Sequence, residues 1–93
     1  DFIPELRRIL RDGKPRKPAQ EAFWQMLRLR DAALPAALEM LKSDQWPERK
    51  AGVCLLRRWG KLTAEHRTDA EKDENIAVRH AARSRFVSKA TAF

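Results

Sequence analysis

Between Leu34 and Gly60 apolar residues recur at Leu34, Ala37, Leu38 and Leu41 and, after a polar break, at Ala51, Leu55, Leu56 and Trp59. Both sets keep helical spacing. They predict two short amphipathic helices joined by a tight turn at Ser43-Asp44-Gln45, the first ending near Lys42. Pro47 opens the second, Asp44 stands ready as an acidic partner for its dipole, and Gly60 closes it.

The flanking sequence reads as weaker copies of this hairpin. Ile3, Leu6, Ile9 and Leu10 share a helical face, with Pro4 in the first turn, where a missing N–H costs little. Gly13 serves as a C-cap, and Pro15 and Pro18 prevent continuation. Pro18 opens a second helix whose apolar face is Ala19, Ala22, Phe23, Met26 and Leu27, with Trp24 at its flank. Arg28, Arg30 and Asp31 end it, and Asp31 is placed to cap the next helix, which carries Pro35 in its first turn. From Thr63 to Glu74 the chain holds five acids and almost no large apolar residue. A polar fifth helix and an ordered surface loop both fit, and either would pack weakly. Ile76, Val78, Ala81, Ala82 and Phe86 then restore a helical stripe, with acids before it and Arg79, Arg83, Arg85 and Lys89 within it or near its end, an order that suits the helix dipole. The tail from Ala90 is expected to fray.

Self-similarity is the strongest signal. Glu48 to Gly52 falls on Val78 to Ala82 at an offset of thirty, and Leu56 on Phe86. Thirty residues earlier, Ala22 and Met26 take the places of Gly52 and Leu56, and Ile3-Pro4 matches Leu34-Pro35 at thirty-one. These residues resemble HEAT-type repeats, in particular the short HEAT-like repeats also found in phycobilisome lyases. Asp44 and Arg49 stand where that family has its turn aspartate and second-helix arginine, and Glu74 and Arg79 repeat the spacing. The first hairpin departs from the pattern, with Ala19 at the arginine position. The resemblance implies stacked hairpins in a superhelix, and it implies that Arg49 and Arg79 bond structurally between adjacent turns. Ser43, Trp46, Arg49, Lys50 and Ala51 also resemble the helix start of DNA-alkylation-repeat glycosylases, which are HEAT-like and basic and hold damaged DNA on a concave face. The chain is too short for their full array and offers no residue for their catalytic aspartate.

The expected fold is therefore all-α: an α-α superhelix of about three HEAT-like hairpins, five to six helices, in one domain over residues 1–93. Asp1 in place of an initiating Met points to an excised piece of a longer protein.

Composition adds little to the fold but bounds the function. Alanine and leucine are plentiful, Tyr is absent and there are 3 glycines, which favours helix. Twenty Lys+Arg against 13 Asp+Glu give +7, a balance that suits nucleic acid, an anionic membrane surface or an acidic protein. The single Cys54 cannot form an internal disulfide, so nothing indicates an oxidising compartment, and an intracellular, cytoplasmic setting is expected. No apolar run approaches a membrane span, and no signal peptide is visible. His66 and His80 lack partners at metal-ligand spacing and read as solvated, Cys54 reads as a buried inert thiol, and neither a glycine-rich phosphate loop nor a calcium loop is present. The sequence thus predicts neither catalysis nor a cofactor. Lyase activity rests on the shared repeat type alone and is not expected.

What remains is binding. Lys50, Arg57 and Lys61, spaced seven and four apart, share a face of the fourth helix and its exit, and Arg83 extends that face. Lys14, Arg16 and Lys17 form a basic loop, and Arg28 and Arg58 occupy equivalent repeat positions. Trp59 lies in register with the core. Trp46 either staples its turn to a neighbouring repeat or is exposed for contact, and Trp24 can cover an open repeat edge. The leading expectation is a protein-binding scaffold or adaptor with a basic surface. A nucleic-acid-binding module and a small homodimer that closes its open repeat end stay open beside it.

Overall fold

Helices dominate because apolar side chains recur at helical spacing between strong stop signals. The computed structural model describes residues 2–14 and 16–83. It contains α1 (Ile3–Asp12), α2 (Arg16–Leu29), a 3-10 helix (Arg30–Ala33), α3 (Leu34–Met40), α4 (Trp46–Trp59), α5 (Ala64–Glu71) and α6 (Ile76–Arg83), and no strand among the described residues. The fold is all-α. Phe86, Arg85, Lys89 and the tail from Ala90 lie outside the described residues.

Consecutive helices pair as neighbours: α1 with α2, α3 with α4, and α5 with α6. The central α4 also packs on α1, α2 and α6. It therefore buries side chains on several faces. Ala51, Leu55 and Leu56 join Leu6, Leu10, Ala22, Met26, Ala37 and Met40 in one core. Val53 joins Ala70, Val78, Ala81 and Ala82 in a second. Trp59 leans on the first core, and its indole N–H donates to the Leu27 carbonyl at 3.1 Å, in the last turn of α2. That contact satisfies a helix-end acceptor with a side chain that is otherwise apolar.

Several local expectations change. α2 begins at Arg16, two residues before Pro18, because a proline in the first helical turn removes an N–H that has no intrahelical partner. Lys17 and Arg16 are thus helical. Asp31 does not cap α3: the chain passes through a 3-10 turn, and the N-cap residue is Ala33, without a side-chain bond. Arg30, at φ 49°, makes the change of direction between α2 and that turn. α3 stops at Met40. The acid in the first turn of α4 is Glu48, and Asp44 stays exposed. Leu38 and Ile76, expected on apolar faces, are exposed, whereas Met40 and Val53, outside the expected stripes, are fully buried. The open choice over 63–74 resolves as helix α5, capped by the Thr63 hydroxyl accepting from the His66 N–H at 3.1 Å. It contributes only Ala70 to the core.

The thirty-residue correspondence has a geometric counterpart in the two loops before α4 and α6. The Arg49 guanidinium donates to the Ser43 carbonyl at 2.9 Å, and the Arg79 guanidinium donates to the Asp73 carbonyl at 2.7 Å. The Gln45 N–H meets the Ser43 hydroxyl at 3.1 Å, and the Asn75 N–H meets the Asp73 carboxylate at 2.8 Å. Arg49 additionally reaches forward, placing Nε and Nη2 on the two carboxylate oxygens of Asp73 at 2.8 and 3.1 Å. The acid that meets the arginine is therefore one residue before the expected Glu74, and Asp44 plays no such part.

Helices α3 and α4 approach closely at Gly52. A Cβ there would lie 3.0 Å from the Ala37 carbonyl oxygen and 3.2 Å from Met40 Cβ, in α3. Ala22 and Ala82, at the equivalent positions, are also buried. Gly52→Val should cost about 1–3 kcal/mol, since the backbone oxygen of α3 cannot yield as a flexible side chain would. Thermal unfolding followed by circular dichroism measures this, and an unchanged midpoint would contradict the close α3–α4 approach.

Candidate functional site

Three stretches enclose an open cleft of about 500 Å³. The end of α1 and its exit supply Leu10, Asp12, Gly13 and Lys14. α2 supplies Arg16, Ala19, Gln20, Phe23 and Trp24. The first turns of α4 supply Trp46, Pro47, Lys50, Ala51 and Cys54.

Local chemistry sets this shape. Gly13 ends α1 at φ 70°, and its N–H returns to the Ile9 carbonyl. A Cβ at Gly13 would sit 3.1 Å from Pro47 Cβ, so the chain leaves α1 close against the start of α4, and a side chain there would both strain the left-handed backbone and press on Pro47. Trp24 is 46% exposed and Trp46 42% exposed. The Arg58 guanidinium lies 4.9 Å from the Trp24 ring centre and 5.8 Å from that of Phe23, in cation–π range of both. Phe23 meets Trp24 edge to face at 5.9 Å. Burial draws the Arg58 guanidinium below its ordinary pKa. Cys54 is half-buried. Burial pushes its thiol up, against the smaller opposing pull of Lys50, Arg57 and Arg58, so this is not an activated nucleophile.

Of the residues singled out from sequence, the cleft brings together Lys14, Arg16, Trp46 and Lys50, with Arg58 stacked behind Trp24. Lys17, Arg28, Lys61 and Arg83 are exposed and lie outside it. Arg57 is half-buried and donates to the Ala81 carbonyl at 2.8 Å, tying α4 to α6. The shared face of Lys50, Arg57 and Lys61 is thus divided between the cleft and the neighbouring helix.

The sequence reading missed Phe23 and Gln20 as cleft residues. A usable signal was present. The thirty-residue offset that relates Ala22 to Gly52 also sets Gln20 on Lys50 and Trp24 on Cys54, so α2 and α4 give the same face to one groove.

The basic balance is also partly structural. The ion pairs among the described residues use only arginines: Arg7 with Glu39 and Glu48, Arg11 with Glu48, Arg8 with Glu5, Arg49 with Asp73, and Arg67 with Glu71. Planar guanidinium suits such bonding better than ammonium. The lysines stay outside these pairs.

A smaller cavity of about 160 Å³ lies beside the Arg49–Asp73 pair and includes Lys42, His66 and Asp69. His66, expected to be solvated, is half-buried, and its Nδ1 has no hydrogen-bond partner among the described residues. His80 is exposed. Among the described residues no group of three or more His, Cys, Asp or Glu is placed to hold a metal ion, and no helix is long and apolar enough to cross a membrane. No family model matches the chain, and neither a curated protein nor a solved structure matches it.

Proposed function

We propose that the chain is a non-catalytic, HEAT-like helical-repeat module that binds a polypeptide partner in the α1–α2–α4 cleft. The carrying observation is the cleft itself: an apolar floor, two half-exposed tryptophans and three cations, Arg16 and Lys50 on helices and Lys14 in the exit of α1. Buried aromatic anchors inside a polar rim are the anatomy of interaction sites. The repeat reading draws on the equivalent hydrogen bonds of Arg49 and Arg79 and on the small buried residues Ala22, Gly52 and Ala82. An intracellular setting goes with this reading, because a lone half-buried thiol offers no disulfide.

Nucleic acid is the second reading, favoured by the combination of Trp24 and Trp46 with Lys14, Arg16 and Lys50. A displayed peptide library selected on the intact chain, with the Trp46→Ala/Lys50→Glu variant as counter-target, separates the two. Peptides that bind the parent and lose at least about tenfold on the variant support the polypeptide reading. Selection of no such peptide sinks it. The nucleic-acid reading gains if a labelled oligonucleotide then binds with a log–log salt slope of roughly −0.7 (single strand) to −0.9 (duplex) per phosphate contacted.

A further inference from the structure

We propose that the cleft receives an acidic peptide segment carrying one bulky apolar side chain. This rests on the reading of the cleft as a polypeptide-binding site. The floor made by Leu10, Ala19, Phe23 and Ala51 is apolar, and a space of about 500 Å³ accepts a phenylalanine-sized or leucine-sized group together with its backbone. A polar group seated there would lose water without gaining a partner.

The rim fixes the sign of the occupant. Lys14, Arg16 and Lys50 line it, and none of them forms an ion pair with a described residue. The arginines at the α1–α4 and α4–α6 contacts, by contrast, bond acids or carbonyls of the chain itself. Asp12 is the one acid of the rim. The unpaired charge of the α2–α4 groove is therefore positive, and it flanks an apolar recess. Carboxylates on either side of the anchoring side chain complement it.

Stacked bases fit less well. Single-strand grooves present successive open aromatic faces along a basic track. Here Arg58 covers one face of Trp24, and Phe23 meets that ring edge to face, so Trp24 forms a wall. Trp46 is left as the freer stacking surface, and Lys17, Arg28 and Lys61 do not continue the rim into a track.

Fluorescence anisotropy with the intact chain tests this. The probes are a short labelled peptide with a central Phe between Glu and Asp residues, the same peptide with Gln and Asn for the acids, the same peptide with Ser for Phe, and a labelled oligothymidylate. The acidic Phe peptide should bind best, and either peptide change should weaken it about tenfold or more. Lys50→Glu and Trp46→Ala should each weaken it by a similar factor, with circular dichroism unchanged, and Lys72→Glu should leave binding as it was. Equal binding of the amide peptide, with Trp46→Ala still weakening it, overturns the acidic partner while leaving a polypeptide site in place. Tighter binding of oligothymidylate that weakens in Lys50→Glu overturns both. Absence of binding by any peptide overturns the proposal, and the library selection then decides the broader reading separately.

Discussion

Replacing Arg7 and Arg11 together by Ala should destabilise the fold by about 3–5 kcal/mol, and adding Glu48→Gln to that variant should restore most of the loss. Glu48 is 1% exposed, the one buried charged residue among the described residues. Its carboxylate lies between two helices: Arg7 Nε donates to Oε2 at 2.8 Å and Arg11 Nε to Oε1 at 3.2 Å, both from α1. Removing the guanidiniums strands a charge in the interior. Removing the carboxylate instead leaves arginines that are 23% and 47% exposed and can turn to water, with Arg7 still beside Glu39. The cost is therefore asymmetric, and Glu48→Gln alone should cost less than the double arginine change. For a domain of this size the larger loss corresponds to a fall of more than about 12 °C in the unfolding midpoint. It takes much of the stability of a typical small domain, about 5–15 kcal/mol.

The same triad predicts a reversal with pH. Burial pushes the Glu48 carboxyl up, but hydrogen bonds from Ser43, Arg7 and Arg11 more than offset this and hold it below its ordinary value. A depressed folded-state pKa contributes stability above the unfolded carboxylate range, near about 4, and that contribution is lost as pH falls through the folded value. In the Arg7→Ala/Arg11→Ala variant only Ser43 still opposes burial, so the carboxyl rises above its unfolded value. Its stabilising effect is then present at low pH and lost as pH rises. Denaturant unfolding at neutral and mildly acidic pH should show the gap between parent and variant narrowing on acidification. A gap that stays constant would mean that Glu48 is not the buried charge that matters.

How much of this was legible in the sequence differs by feature. The helices were legible, because Leu6 and Leu10, Ala22 and Met26, and Leu55 and Leu56 recur at helical spacing between Gly and Pro stop signals. The caps at Gly13 and Gly60 were legible for the same reason. Boundaries moved where first-turn rules leave latitude, as at Pro18. Burial was misread for Ile76 and Leu38, because periodicity marks a face but not whether a neighbour covers it. The Glu48 triad was out of reach: its partners are 41 and 37 residues away, and an acid in a first helical turn is ordinarily assigned to the dipole. For the cleft, half of the information was present. Lys14, Arg16, Trp46 and Lys50 could be chosen by type, but their convergence depends on Gly13 meeting Pro47, a tertiary contact. Arg57 shows the converse: helical spacing puts it on the face of Lys50, and the packing of α6 claims it for the Ala81 carbonyl.

Arg49→Ala should cost about 2–3 kcal/mol and should loosen the α5–α6 hairpin before the rest of the chain. Arg49 holds its own turn through the Ser43 carbonyl and the following one through both oxygens of Asp73, and the two side chains are each 13% exposed. Besides this pair, the Arg57 bond to the Ala81 carbonyl and the packing of Val53 against α6 hold the hairpin. α5 buries only Ala70, and the second core consists of small side chains. Arg79 makes the corresponding bond to the Asp73 carbonyl without a bidentate acid partner among the described residues, so Arg79→Ala should cost less, about 1 kcal/mol. Crossing Arg49→Ala with Asp73→Asn should give a coupling of about 1–3 kcal/mol, because the asparagine still accepts from the Asn75 N–H and only the ion pair is removed. Burial lifts the Asp73 carboxyl, but Arg49, the Asn75 N–H and the charge of Arg79 bring it below its ordinary value. By the same sign rule, the contribution is present above the unfolded carboxylate range and fades as pH falls. Amide hydrogen exchange in Arg49→Ala should then accelerate in α5 and α6 and leave α1 and α2 near parent rates. Uniform acceleration across all six helices would mean that the hairpin does not undock by itself and that α4 transmits the loss through both cores.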